Sequence, residues 1–169
     1  MTELVPYTTE RRNPMIWMIA AFFADHFSIS EQTKVDITPE RLQSAEEDLE
    51  DWLKKDGVLF FIEEDGTEAG FCILARHGGT VVWIEDIFVK KELRCQGIAS
   101  RAIGLAEAYA RDVMKAPAVN LEVIPQNTAA IRLYRKLGYD TIPIFTMRKS
   151  ITEEKRTNET EFLGHTFFI

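Results

Sequence analysis

Phe88-Val89-Lys90-Lys91-Glu92-Leu93-Arg94-Cys95-Gln96-Gly97-Ile98-Ala99-Ser100 is where the chain changes period. Upstream, Thr80 to Val89 is a β-rich run. Downstream, Ile98, Ala102, Leu105, Tyr109 and Val113 recur every three or four residues until Pro117, the spacing of a helix. The stretch is therefore a strand, a basic polar turn, and a helix that begins with small residues. Such a turn aims unpaired backbone N–H groups and the positive end of a helix dipole at one point, which suits an anion and most often a phosphate. Gly97 lets the backbone approach a ligand closely, and Ala99 and Ser100 keep bulky side chains away. Neither G-x-x-x-x-G-K-[ST] nor a G-x-G-x-x-G after a strand is present, so a kinase or dehydrogenase reading loses support.

Working upstream, Val58 to Glu63, Ala69 to His77 and Thr80 to Val89 are separated by Asp65-Gly66 and Gly78-Gly79, which predicts an antiparallel three-strand meander. Thr38-Pro39-Glu40 opens a helix with an N-cap, a first-turn proline and an acidic residue; its stripe is Leu42, Ala45, Leu49, Trp52 and Leu53, and Gly57 is expected to end it. Residues 14 to 27 read as a largely buried helix. Downstream, Ala118 to Ile124 is a short strand that the intervening helix should set parallel to its predecessor. Asn127 to Leu137 reads as a helix closed by Gly138. Two further runs, Thr141 to Arg148 and Glu161 to Ile169, are expected to form a hairpin across the polar segment Ser150 to Thr160. No repeat or linker breaks the chain. The expectation is one α/β domain over 1–169, with a mostly antiparallel twisted sheet, one parallel strand–helix–strand unit, and flanking helices.

Composition narrows the function. The 169 residues carry 20 Lys+Arg against 27 Asp+Glu, a formal charge of −7, and 46% are hydrophobic. That share supports one sizeable core and excludes collagen-like or disordered chains. Negative charge opposes nucleic acid and anionic membrane surfaces as partners and helps to gather cationic substrates. Cys72 and Cys95 cannot build a disulfide framework or a four-ligand zinc site, so a reducing, cytoplasmic setting is expected. Arg11-Arg12 before the apolar run Met15 to Ala24 has the outline of a secretion signal, yet Glu3, Glu10, Pro14 and Asp25 favour a core helix. No other stretch approaches membrane-spanning length. His26, His77 and His165 share no ligand spacing and read as ordinary histidines, and no metal is expected.

Arg94-x-x-Gly97-x-Ala99 resembles the [QR]-x-x-G-x-[GA] signature of the GNAT N-acetyltransferase superfamily. The block from Asn127 to Tyr139 is similar to that family's N-x-x-A-x-x-x-Y-x-x-x-G-[FY] pattern, and the order of elements along nearly the whole chain is the family's order. The resemblance implies acetyl-coenzyme A as co-substrate. Its pyrophosphate is expected on the turn of Arg94, Cys95, Gln96, Gly97, Ile98, Ala99 and Ser100, its pantetheine arm along Phe88 and Val89, and further contacts from Asn127 and Tyr134. That layout needs the strand ending at Val89 to part from the strand that follows the signature helix. Cys95 departs from the glycine that relatives often have there, which questions the local backbone angles.

The resemblance also implies direct acetyl transfer to an amine, without a covalent enzyme intermediate. An amine that titrates near ~10 must first lose its proton, so a carboxylate or a carboxylate-held water is wanted nearby. Glu85 and Asp86 are the candidates, and strand alternation places them on opposite faces. The run Trp83-Ile84-Glu85-Asp86-Ile87-Phe88-Val89 looks like the matching strand of diamine and polyamine acetyltransferases, which puts Glu85 toward the acceptor. Tyr134 matches the family's tyrosine that protonates the leaving thiolate, and a backbone N–H near Val89 is expected to meet charge on the carbonyl oxygen. The implied acceptor is a small cationic amine. The alternatives are a protein or peptide amine, or a non-catalytic acyl-coenzyme A sensor; a homodimer stays open.

Overall fold

The computed structural model describes residues 1–152 and 158–169. Its strands are β1 (Thr2–Pro6), β2 (Gly57–Glu64), β3 (Thr67–Ala75), β4 (Val82–Val89), β5 (Val119–Leu121), β6 (Glu159–Phe162) and β7 (His165–Phe168). The helices are α1 (Arg12–Ser30), α2 (Pro39–Lys54), α3 (Ile98–Asp112) and α4 (Thr128–Leu137). Two units divide the chain, Met1–Glu122 and Val123–Ile169.

The first unit is built on a sheet of order β1-β2-β3-β4-β5. The first four strands pair antiparallel and β5 joins β4 in parallel, as the strand–helix–strand reading requires. Phe60 and Phe61 are consecutive on β2 and so face opposite ways. Phe61 joins Phe71, Ile73 and Phe88 in a core closed by Met15, Met18, Ile19 and Ala20 of α1 and Ala45 and Leu49 of α2. Phe60 meets Tyr109 of α3 edge-on at 5.1 Å on the other face. Each large side chain sealed in this way contributes about 1.5–3 kcal/mol of transfer free energy. The arginine-led apolar stretch is thus a core helix. Among the described residues, no helix is long and apolar enough to cross a membrane.

Several boundaries differ from the sequence reading. β1 was not expected: Thr2 to Pro6 is short and ends in a proline, and only its register on β2, from Thr2↔Glu64 to Pro6↔Phe60, makes it a strand. Gly57 does not stop α2. The helix opens on the expected cap, with the Arg41 N–H donating to Thr38 Oγ1 at 3.4 Å, but it ends at Lys54. Gly57 begins β2 opposite Ala75, where a Cβ would lie 3.0 Å from the Leu74 carbonyl oxygen.

In the second unit, the Asn127 side chain caps α4 by accepting from the Ala130 N–H at 3.2 Å, and Gly138 closes it at φ 98°. The expected pairing of Thr141–Arg148 with Glu161–Ile169 is not found. Pro143 interrupts the first run, which forms no strand, and the hairpin lies within the second: β6 and β7 pair about Leu163 and Gly164, both at positive φ (52° and 77°), as a type I′ turn demands. Residues 153–157 of the expected polar loop lie outside the described residues.

Candidate active site

The parallel pairing of β4 with β5 is brief. It covers Val82↔Val119, Trp83↔Asn120 and Ile84↔Leu121, and there β5 ends. From Glu85 to Val89 the edge of β4 on that side has no strand partner among the described residues, so the two strands part as a fork. The Lys90 N–H donates to Ala69 O at 2.8 Å, which fixes the phase of the antiparallel ladder with β3. Alternation then turns the N–H and C=O of Phe88 and Asp86 toward β3, and those of Val89 and Ile87 toward the open edge. One of these groups is already engaged, because Arg94 Nε donates to Val89 O at 2.9 Å.

The open edge runs directly into the turn before α3. Cys95 takes φ 61° and Gly97 φ 78°, so the chain kinks twice through the left-handed region before the helix starts. Cys95 therefore accepts the conformation for which glycine is the usual choice. Among the described residues, the N–H groups of Cys95, Gln96, Gly97, Ile98, Ala99 and Ser100 donate to no backbone carbonyl outside the helix ladder, and the first α3 bond to such a carbonyl comes from Arg101 to Gly97 O at 3.1 Å. Cys95, Gln96 and Gly97 are exposed.

Two residues that sequence reasoning missed hold this turn. The Arg94 guanidinium donates to the Asp25 carboxylate of α1 and lies over the Phe88 ring, 5.5 Å from its centroid, while Lys91 Nζ reaches Asp25 Oδ1 at 3.4 Å. Asp25 is thus a tie between α1 and the turn, and the Arg94 side chain is committed to it. On the other side, Arg101 donates to Gln96 O at 3.1 Å, to Thr2 Oγ1 at 2.6 Å and to Glu64 Oε2 at 3.2 Å, joining the turn to β1 and β2. The only sequence signal for Arg101 is its place four residues after Gly97, and Asp25 has none beyond following the apolar run Met15 to Ala24.

The mouth of the fork holds a cavity of ≈ 200 Å³ lined by His77, Trp83, Ile84, Glu85 and Glu122. Ile84 is the last residue of β4 to pair with β5, and Glu122 is the first residue past β5. A broader hollow of ≈ 430 Å³ between α1 and α2 includes no residue of β4 or of the turn. His77 donates from Nε2 to Glu85 Oε1 at 2.5 Å, and its ring stands edge-on to Trp83 at 5.3 Å. The sequence, which reads His77 as an ordinary histidine, carries no sign of these two contacts.

Strand alternation also fails here. Asp86 pairs with Ile73 but Ile84 pairs with Leu74, so Glu85 is one extra residue in β4, a bulge. Trp83 pairs with Ala75, two positions from Ile73, and so shares a face with Asp86. Glu85 and Asp86 are consequently coupled instead of being separated by the sheet. Asp86 is half-buried, and desolvation first, then the charges of Glu85 and Asp48, push its pKa from 3.8 up to about 6, with Lys55 opposing. Cys72 is sealed in the sheet with its thiol pushed up to about 12 by burial, which removes it as a nucleophile. Among the described residues, no group of three or more His, Cys, Asp or Glu is placed to hold a metal ion.

The Asp86 shift carries a prediction. Folded Asp86 binds its proton more tightly than the unfolded carboxyl, so its favourable contribution is complete below about pH 4 and is lost as pH rises through about 6. Asp86→Asn is expected to match the parent near pH 3.5 and to exceed its stability at pH 7 to 8 by roughly 1–3 kcal/mol. Urea denaturation from pH 3.5 to 8 reads this directly, and a difference that does not vary with pH contradicts it.

Phe88, Val89 and the residues from Arg94 to Ser100 are contiguous in the first unit, with Glu85 on the same strand. Asn127 and Tyr134 belong to the second unit. There Asn127 spends its side-chain oxygen on the α4 cap, and the Tyr134 ring packs beside Tyr139 at 5.9 Å between centroids.

Residues 21–139 match the acetyltransferase (GNAT) family. No curated protein matches the chain. Solved structures of similar fold include an acetyltransferase of GNAT family from Staphylococcus aureus Mu50, with TM-score 0.62, 15% identity, and 89% of this chain covering 95% of that one. An aminoglycoside N-acetyltransferase solved in complex with coenzyme A has TM-score 0.66, 16% identity, and coverage of 90% and 96%. A transcriptional regulator from Bacillus halodurans C-125 has TM-score 0.65, 16% identity, and coverage of 88% and 100%. At these identities the likeness speaks to the fold.

Proposed function

The chain belongs to the acetyltransferase (GNAT) family, and from that premise we propose that it transfers the acetyl group of acetyl-coenzyme A to a primary amine of a small cationic acceptor, with residues 1–169 acting as one domain. The observation that carries the reading is the fork: an open edge of β4 that leads into a turn of unpaired amides. Bound there, acetyl-coenzyme A supplies an acyl group activated as a thioester. The turn suits an anion, because it offers a run of N–H donors, has Lys90 and Lys91 beside it, and carries no acidic side chain from Arg94 to Ser100.

The roles of the chain's own groups follow from chemistry. The amides from Cys95 to Ser100 hold the diphosphate, and Arg94 acts by fixing the turn through Asp25. Phe88 and Val89 flank the arm, and the Val89 N–H, turned to the open edge, meets the charge that grows on the carbonyl oxygen. Asn127 contributes from the cap of α4, and Tyr134 gives a proton to the departing sulfur. Glu85 and Glu122 draw an ammonium into the cavity, where the Trp83 face adds a cation–π attraction of about 0.5–2 kcal/mol. The formal charge of −7 favours such an acceptor, and the likeness to an aminoglycoside N-acetyltransferase supports an amine. The free thiols Cys72 and Cys95 suit a cytoplasmic setting.

A thiol-release assay against polyamines, aminoglycosides, amino acids and peptides tests the reading. Small cationic amines are expected to be the best acceptors; a protein that acetylates only peptide amines overturns the acceptor class and leaves the donor site standing. Tyr134→Phe is expected to lower kcat about tenfold or more, with coenzyme A affinity within about twofold, because only the proton donor is removed. A Phe variant that turns over at the parental rate assigns that proton to another source.

A further inference from the structure

A carboxylate is a poor match for the proton of an alkyl ammonium. Their ordinary pKa values, ~4.3 and ~10.4, lie about six units apart, whereas an imidazole at ~6.5 is about two units closer. The cavity at the fork is lined by an imidazole, that of His77. Its Nε2 lies 2.5 Å from Glu85 Oε1, and in the neutral ring that donates there the accepting nitrogen is Nδ1. Trp83 stands against the ring and fixes its plane, and Ile84 and Glu122 complete the cavity. The charged groups that face His77 are Glu85 from β4 and Glu122 past the end of β5. Its neighbour Arg76 turns away to donate to the Met114 carbonyl, and Asp86 lies beside Glu85 on β4.

We propose that His77, oriented by Glu85, is the group that takes the proton from the acceptor amine in this cavity. The inference rests on the acetyltransfer reading and deepens it. The ammonium gives one proton to His77 Nδ1, and the freed nitrogen lone pair forms the C–N bond. The C–S bond breaks with its electron pair on sulfur, the phenol that protonates the sulfur leaves it as a thiol, and the second proton lost from nitrogen restores that phenol. His77 then passes its proton to water, so one proton is released per turnover. Glu85 holds the Nε2 side of the ring through Oε1 and stabilises the imidazolium, which makes it a positioning residue in this step.

Two measurements test this, the first without acetyl-coenzyme A. Titration of 1,4-diaminobutane into the protein is expected to move the His77 imidazole resonance saturably while those of His26 and His165 stay in place; a His77 resonance that does not respond overturns the proposal. In turnover with the best small amine, His77→Gln, which keeps a donor for Glu85, is expected to lose at least about 30-fold in kcat at pH 7 with KM for acetyl-coenzyme A within about twofold. The deficit should shrink below about threefold near pH 10, where the free amine no longer needs a base. Added imidazole should restore part of the activity of His77→Ala, and Glu85→Gln should show the same pH trend with a smaller loss. An active parent matched within about twofold by His77→Gln at pH 7 overturns the role of His77 alone. A parent that releases no thiol with any amine overturns the acetyltransfer reading, and this step with it.

Discussion

Gly97→Asp is expected to weaken coenzyme A binding at least about 100-fold, to the point where calorimetry detects none. Three costs fall on one atom position. The residue sits at φ 78°, where an added Cβ strains the backbone by about 1–2 kcal/mol. That Cβ also lies 2.9 Å from Arg101 Nη1, so the guanidinium that holds Gln96 O must move. Finally, a carboxylate is placed beside a diphosphate, and like charges in contact cost several kcal/mol. Aspartate tolerates the left-handed region better than most residues, so the fold should survive. Gly97→Ala separates the parts: it keeps the strain, omits the charge, and should lose about tenfold. Exposed Cys95 offers a second readout, since coenzyme A should slow its alkylation in the parent and not in Gly97→Asp. Unchanged affinity in a folded Gly97→Asp protein removes this turn as the diphosphate site.

The largest stability loss is expected from Gly70→Ala. Gly70 pairs with Val89, and a Cβ there would lie 1.9 Å from Phe88 O and 3.0 Å from Val89 Cα. These are main-chain atoms in the middle of a sheet, and no rotamer change relieves the clash. Overpacking that only side chains absorb costs about 1–3 kcal/mol, so a shift of backbone should reach about 3 kcal/mol or more. For a chain of this size that is a fall in Tm of roughly 6–12 °C. The displaced residues are Phe88 and Val89, so coenzyme A affinity should drop as well. Thermal unfolding with and without coenzyme A measures both, and a Tm within about 2 °C of the parent contradicts the argument.

What could be read from the sequence was what local chemistry determines. The period change at Gly97, the meander punctuated by Asp65-Gly66 and Gly78-Gly79, the parallel placement of β5, and the Asn127 and Gly138 caps all rest on neighbours within a few residues. The rest depends on partners far along the chain. Thr2–Pro6 is a strand because Phe60–Glu64 offers it an edge. Arg101 matters through Thr2 and Glu64, and Asp25 through Arg94. The tail alternates apolar residues on both sides of Pro143, yet that proline denies the first run a ladder and the pairing falls within the second. His77 could not be joined to Glu85 because the bulge that resets β4 has no composition signal: Trp83, Ile84, Glu85 and Asp86 scan as an unbroken strand.

That bulge also bears on how far related chains can drift apart. Over the span in which β3 advances from Ile73 to Leu74, β4 advances from Asp86 to Ile84, one residue more than its neighbour spends. β5 keeps step with β4 as far as Ile84 and ends there. The gap between the strands is thus stored as a count of backbone units and not in the identity of any side chain. Substitutions along β4 can change the acceptor and the rate while the cleft persists, and only an insertion or deletion erases it. Chains sharing 15 or 16% of their residues can accordingly keep one architecture.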